Sequence, residues 1–250
     1  MSAPRIIAHR GSSAVCHENT MAAFARAVSD GADAVEFDLR LTRDRQWIIH
    51  HDAELPVAGG RRRIATLTAG EVAAIAVGPS ADRIPSLVEL LAWAKSQSVS
   101  LVFDIKDRDG LAELVDAVGT DLAESALFSS FHRPILRTME SLRPDWPRAL
   151  IVGDLAGALI RRLAFHSILR WARAHRLAAL HLHERWVTPT VISQVHDAGL
   201  KLAIWTVDDP LRMTLLAALG IDAIITNRPE AGRAVIRQMV SASGIPGVKR

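Results

Sequence analysis

The chain carries a single cysteine, Cys16, among 250 residues. An intramolecular disulfide is therefore excluded, and a reducing cytoplasm is the expected home. No apolar run approaches the roughly 20 residues of a membrane span. The opening Met1-Ser2-Ala3-Pro4-Arg5 leads straight into a strand-like stretch, with no apolar region of a secretory signal. Charge is nearly balanced, 30 basic against 27 acidic residues. Nothing in that balance argues for nucleic acid or stable membrane insertion. The densest basic run, Arg61-Arg62-Arg63, comes after two glycines and reads as a solvated turn. There is no linker-like stretch, no low-complexity segment and no close internal repeat. What remains is 49% hydrophobic, enough for a substantial core in one domain spanning 1–250.

Periodicity divides that domain into alternating strands and helices. Apolar runs expected as strands begin at Arg5, Ala34, Leu101, Ala126, Arg148, Ala178, Lys201 and Asp222. Between them lie helical patterns with recognisable starts: Thr20 as a cap, Ser86 three residues before Glu89, Pro189 at a first helical position, and Asp209-Pro210. Strict βα alternation implies a parallel sheet, and eight repeats in one domain fit an α/β (β/α)₈ TIM barrel. Trp47-Ile48-Ile49-His50 reads as a hairpin-like extension of the second strand. About 53–84 reads as a small, mostly irregular insertion, with one helix begun by the capping box Thr68-Ala69-Gly70-Glu71. The tail from about 241 is expected to fray.

The chemistry centres on Ala34-Val35-Glu36-Phe37-Asp38-Leu39-Arg40-Leu41. Period two places Val35, Phe37 and Leu39 on one face and both carboxylates on the other. Neighbouring acids on one face repel, so a cation between them is the alternative to a plain solvated face. In a (β/α)₈ barrel the active site lies at the C-terminal strand ends. Those ends carry His9, Arg10, Glu36, Asp38, His51, Asp104, Lys106 and Trp205; the opposite ends are expected to carry nothing chemical. Singly, each has a duller reading: a surface or capping histidine, a local Asp104–Lys106 ion pair, a core or rim tryptophan. Together they suit displacement at a phosphodiester. Three carboxylates without clustered cysteine favour Mg²⁺ or Ca²⁺ over Zn²⁺. Arg10 can neutralise phosphate oxygens with its fork. Two histidines can activate the attacking oxygen and protonate the leaving alkoxide.

The segments Ile7-Ala8-His9-Arg10-Gly11, Glu18-Asn19-Thr20, Glu36-Phe37-Asp38 and His51-Asp52 together resemble the signature of the glycerophosphodiester phosphodiesterases. The likeness continues through Ile84-Pro85-Ser86-Leu87, Phe103-Asp104-Ile105-Lys106, Ser129-Ser130-Phe131, Ile204-Trp205-Thr206-Val207 and Ile225-Thr226-Asn227-Arg228-Pro229. The resemblance implies a metal-dependent hydrolase that releases an alcohol and sn-glycerol 3-phosphate from a small glycerophosphodiester. It implies His9 and His51 as the acid/base pair, and Glu36, Asp38 and Asp104 as ligands of Mg²⁺ or Ca²⁺. Arg10, Lys106 and Trp205 are implied as substrate-binding residues, with Glu18 and Asn19 fixing the loop. Asp104 stands where a glutamate is usual, so its shorter arm needs a closer strand or a bridging water to reach the ion. His17 stands where proline is usual, which should loosen that loop. Lysophospholipids are alternative substrates if Leu55, Pro56, Val57, Ile64 and Leu67 form an apolar surface at the barrel mouth. A silent, ligand-binding barrel is a third reading, opposed by the presence of both histidines and all three acids.

Overall fold

The computed structural model describes residues 3–57, 59–123, 125–155 and 158–243. Eight strands run through it: β1 Arg5–His9, β2 Ala34–Leu41, β3 Ser100–Ile105, β4 Ala126–Ser130, β5 Arg148–Val152, β6 Ala179–His183, β7 Lys201–Trp205 and β8 Ala223–Thr226. Each pairs in parallel with the next, and β8 returns to β1 through Arg5 opposite Ala223. The sheet therefore closes as the expected (β/α)₈ barrel. The returning helices are α1 Met21–Ser29, α2 Leu87–Ala94, α3 Leu111–Ala123, α4 Arg133–Leu142, α5 Ala158–Ala174, α6 Pro189–Asp197, α7 Pro210–Ala218 and α8 Pro229–Ser243. Thr20 caps α1 by accepting from the Ala23 amide at 3.2 Å, and Asp209 caps α7 through the Leu211 amide at 3.1 Å. At α2 the Ser86 hydroxyl accepts from the Glu89 amide, while the Glu89 carboxylate turns toward Arg83 at 3.8 Å. Helix α8 runs to Ser243, so 241–243 are helical and not frayed; residues 244–250, where the rest of the expected tail falls, lie outside the described part of the chain.

The pleat sorts the side chains into two layers. Val35, Phe37, Leu39, Leu101, Phe103 and Phe128 face the helices in one half of the outer core. Leu150, Leu180, Leu182, Leu202, Ile204 and Ile224 do so in the other half. Ile7, Ala34, Val102, Ala203, Ala223 and Ile225 point inward and plug the barrel. Glu36 and Asp38, out of phase with the outer set, are thereby forced into the interior above the plug.

Several expectations are corrected. The insertion is more ordered than its composition suggested. Antiparallel ribbons pair Glu54–Val57 with Gly60–Arg63 and Ala76–Val77 with Asp82–Arg83, and the Thr68–Glu71 capping box starts the helix Ala69–Ala73. Its own core is Ile48, Leu55, Ile64, Leu67, Val72 and Ile84. Leu55, Ile64 and Leu67 are thus consumed internally and form no apolar surface at the mouth, and Arg61-Arg62-Arg63 is a ribbon strand rather than a turn. The N-terminal strand ends, expected to be chemically empty, hold structural charges. Buried Arg148 donates to the carbonyls of Arg143, Pro144, Trp146 and His175 at 3.0–3.3 Å. Asp222 ties Lys201 and His196 together. Buried turn carbonyls at that end need donors, and these groups supply or fix them.

Candidate active site

The three acids meet because of strand register. Asp38 on β2 is the direct neighbour of Asp104 on β3, and Glu36 lies two residues earlier on the same inward row. Each offers a carboxylate oxygen within 4.8 Å of the others, and all three side chains are buried. Direct register is how the shorter Asp104 comes alongside its partners. Burial and the neighbouring carboxylates push Glu36 well above the usual carboxylate range. Burial raises Asp104 to about 6. Asp38 is buried too, yet Lys106 and Arg10 outweigh that cost and hold it at about 2.

Those cations clamp the acids from both sides. Lys106 Nζ sits 2.5 Å from Asp104 Oδ2 and 2.8 Å from Asp38 Oδ1. Arg10 Nε lies 3.0 Å from Asp38 Oδ2, and Nη1 donates to both Glu18 oxygens at 2.8 and 3.0 Å. The Arg10 amide donates to Glu36 Oε2 at 2.9 Å. This reach requires a sharp turn: Arg10 has φ 55° and Gly11 φ +84°. Asn19 grips Asp38 from behind, its Nδ2 donating to Oδ2 at 2.8 Å and its Oδ1 accepting from the Asp38 amide. Asp104 Oδ1 is buried with no hydrogen-bond partner among the described residues, and Asp38 Oδ1 meets only Lys106. Three clustered carboxylates, one of them with an unpartnered oxygen, have the donor chemistry of a hard divalent cation site.

The two histidines differ in setting. His9 is held at Nδ1 by Asn227 Oδ1 at 2.8 Å. The Asn227 amide nitrogen donates to Asp208 Oδ2 at 2.7 Å, which fixes its oxygen toward His9. His9 Nδ1 must therefore carry the proton, leaving Nε2 with its lone pair. Burial, then Arg10, lowers the His9 pKa below its ordinary value. His51, on the extension after the short strand Trp47–Ile49, is more exposed and pairs through Nδ1 with Asp52 Oδ1 at 3.0 Å. Arg40 anchors its backbone, Nε and Nη2 both donating to the His51 carbonyl.

Every expected catalytic, substrate-binding or metal residue except Asp38, which Arg10, Lys106 and Asn19 enclose, lines one cavity of about 220 Å³. Its far wall was not read from the sequence: Phe131, Ile151, His181 and Ile225 join Trp205 there. Trp205 Nε1 donates to the His181 carbonyl at 3.1 Å, and its ring meets Phe131 edge-on at 5.5 Å. His181 carried a usable signal, since it alternates with Leu180 and Leu182 and so shares the inward phase. Asn227 lies in the family-like segment Ile225-Thr226-Asn227-Arg228-Pro229, but its fixing role and that of Asp208 exist only once β7 and β8 lie side by side.

Known proteins resemble this chain along the same lines. The sequence profile described as the Glycerophosphoryl diester phosphodiesterase family matches residues 9–231. A glycerophosphodiester phosphodiesterase of Caldanaerobacter subterraneus subsp. tengcongensis is 30% identical over 240 residues, covering 90% of this chain and 94% of the relative. Among solved structures, an Oleispira antarctica phosphodiesterase in complex with the product sn-glycerol-3-phosphate superposes with a TM-score of 0.79. It is 27% identical, and the match covers 94% of this chain and 97% of that one. A Thermotoga maritima structure at 22% identity and TM-score 0.76 shares the fold.

Proposed function

Because the chain belongs to the glycerophosphoryl diester phosphodiesterase family, we propose that this phosphoric diester hydrolase converts glycerophosphodiesters to an alcohol and sn-glycerol 3-phosphate, with a divalent cation. The observation that carries the reading is the buried Glu36–Asp38–Asp104 cluster, flanked by Arg10 and Lys106, in a cavity that both His9 and His51 line. The three acids would hold Mg²⁺ or Ca²⁺, which when bound supplies positive charge to the phosphate oxygens. Arg10 and Lys106 add fixed positive charge beside that position and orient the diester. With its Nε2 unprotonated and its pKa lowered, His9 is suited to take the proton from the attacking oxygen. His51, held at Nδ1 by Asp52, lines the same cavity and is the second histidine, suited to protonate the leaving alkoxide. It also stands at the more open side, where the released alcohol can escape.

The cavity, about 220 Å³, is below the roughly 300–1,000 Å³ of sites for drug-sized ligands. That favours a compact polyol phosphate over an acylated one. The test is turnover of glycerophosphocholine, glycerophosphoethanolamine and a lysophospholipid, each with and without chelator. Glycerophosphodiester turnover lost in chelator and restored by Mg²⁺ or Ca²⁺ is the expected result. Full activity in chelator after exhaustive dialysis would remove the metal from the mechanism.

A further inference from the structure

Every named polar side chain in the cavity has a partner or an assigned role except His181. The residue is 2% exposed, it lines the cavity, and its Nε2 has no hydrogen-bond partner among the described residues. It sits on β6, half-way round the ring from β2, beside Ile151 on β5 and Ala203 on β7. A buried ring nitrogen left without a partner costs folding free energy. Such a group persists where a ligand completes it.

We infer that His181 determines specificity, forming the hydrogen bond that recognises a free hydroxyl of the substrate's glycerol moiety. This rests on the glycerophosphodiesterase reading and deepens it. All the cavity's fixed charge lies on the β1–β3 side, where it suits the phosphate. The opposite wall offers Phe131, Ile151, Trp205 and Ile225 against carbon. His181 is the neutral hydrogen-bonding group within that apolar wall, and burial holds its pKa at about 4, so the ring stays uncharged near neutrality. A neutral imidazole offers one donor and one acceptor, which matches an uncharged hydroxyl and would waste no charge on it. The substrate is thereby ordered: phosphate against the acids and cations, glycerol toward β6, leaving alcohol toward His51 and solvent.

The experiment compares binding of sn-glycerol 3-phosphate with that of n-propyl phosphate, which has the same carbon chain and no hydroxyl. Calorimetry is run on the unmodified enzyme, His181→Phe and His181→Gln, alongside glycerophosphocholine turnover. The unmodified enzyme should prefer glycerol 3-phosphate by roughly tenfold or more. His181→Phe should bring the two ligands to within about twofold by weakening glycerol 3-phosphate alone, and His181→Gln, which keeps a donor and an acceptor, should restore part of the preference. If His181→Phe does not fold by circular dichroism, His181→Leu carries the same comparison. A preference that survives the apolar substitution overturns the inference. So does equal weakening of both ligands, which is the mark of a structural role, or no preference in the unmodified enzyme. Absence of glycerophosphocholine turnover in the unmodified enzyme would instead sink the functional reading itself.

Discussion

Asp104 is the residue whose chemistry most needed the structure. Its shorter arm was expected to need a closer strand or a bridging water to reach an ion, and register sets it directly beside Asp38, with Oδ1 unpaired. An added methylene has to fit between Lys106 and two other carboxylates. Asp104→Glu is therefore expected to leave metal affinity within about tenfold, on the order of 1.4 kcal/mol. A titration showing a larger loss would mean that the pocket is closed around aspartate. The histidines carry a sharper expectation. General acid or base catalysis contributes roughly 10²–10⁴-fold in rate, so His9→Ala and His51→Ala should each cut kcat by such a factor on glycerophosphocholine. A nitrophenyl phosphodiester needs no acid, so His51→Ala should recover most of its rate on it and His9→Ala should not. The reverse pattern would exchange the two roles.

At the scale of elements, the turn between β1 and α1 governs the site. Gly11 comes directly after His9 and Arg10 with φ +84°, and a Cβ there would lie 2.6 Å from the Ala23 backbone carbon. Backbone cannot yield as a flexible side-chain tip can, and the torsion itself disfavours a side chain. Gly11→Ala is expected to destabilise the protein by more than about 1 kcal/mol. It should also lower kcat/KM, because the Arg10 amide that holds Glu36 moves with the turn. Urea unfolding and kinetics on the same preparation check both halves, and a variant of unchanged stability and rate would show that the turn adapts. The insertion is tied to the site more loosely, through Arg61 to Asp52 at 3.3 Å, between exposed side chains. Such a pair contributes little to stability.

For the whole molecule, the acid cluster couples folding to pH and metal. Asp104, at about 6 when folded, and Glu36, also raised, bind protons more tightly folded than unfolded. Their contribution to stability is therefore full at low pH and is lost as pH rises, for Asp104 through about 6 and for Glu36 above the usual carboxylate range, when charge must be buried. Asp38, held at about 2, has the opposite sign and loses its contribution only in strong acid. A cation that binds the ionised acids should offset the loss. At a hundredfold excess over Kd it adds about 2.7 kcal/mol. Thermal melts should thus show a larger Tm increase from Mg²⁺ or Ca²⁺ at pH 7.5 than at pH 5, where protons compete. Equal increments at the two pH values would separate metal binding from these carboxylates.

The sequence by itself determined the eight strand-helix units, the inward phase of Glu36 and Asp38, and the strand ends that carry His9, Arg10, Lys106 and Trp205. Each of these rests on local rules, namely period, capping and the rule that barrel sites lie at C-terminal strand ends. Only the tertiary structure decided what depends on contact between distant segments. Strand register brought Asp104 beside Asp38, the Asp208–Asn227 contact fixed the proton on His9, and closure of the ring faced His181 toward the acids. The same holds for the insertion, where Leu55, Ile64 and Leu67 looked available for a lipid chain until Val72 and Ile84 folded over them. Alternation tells which way a side chain points, and only packing tells what it meets there.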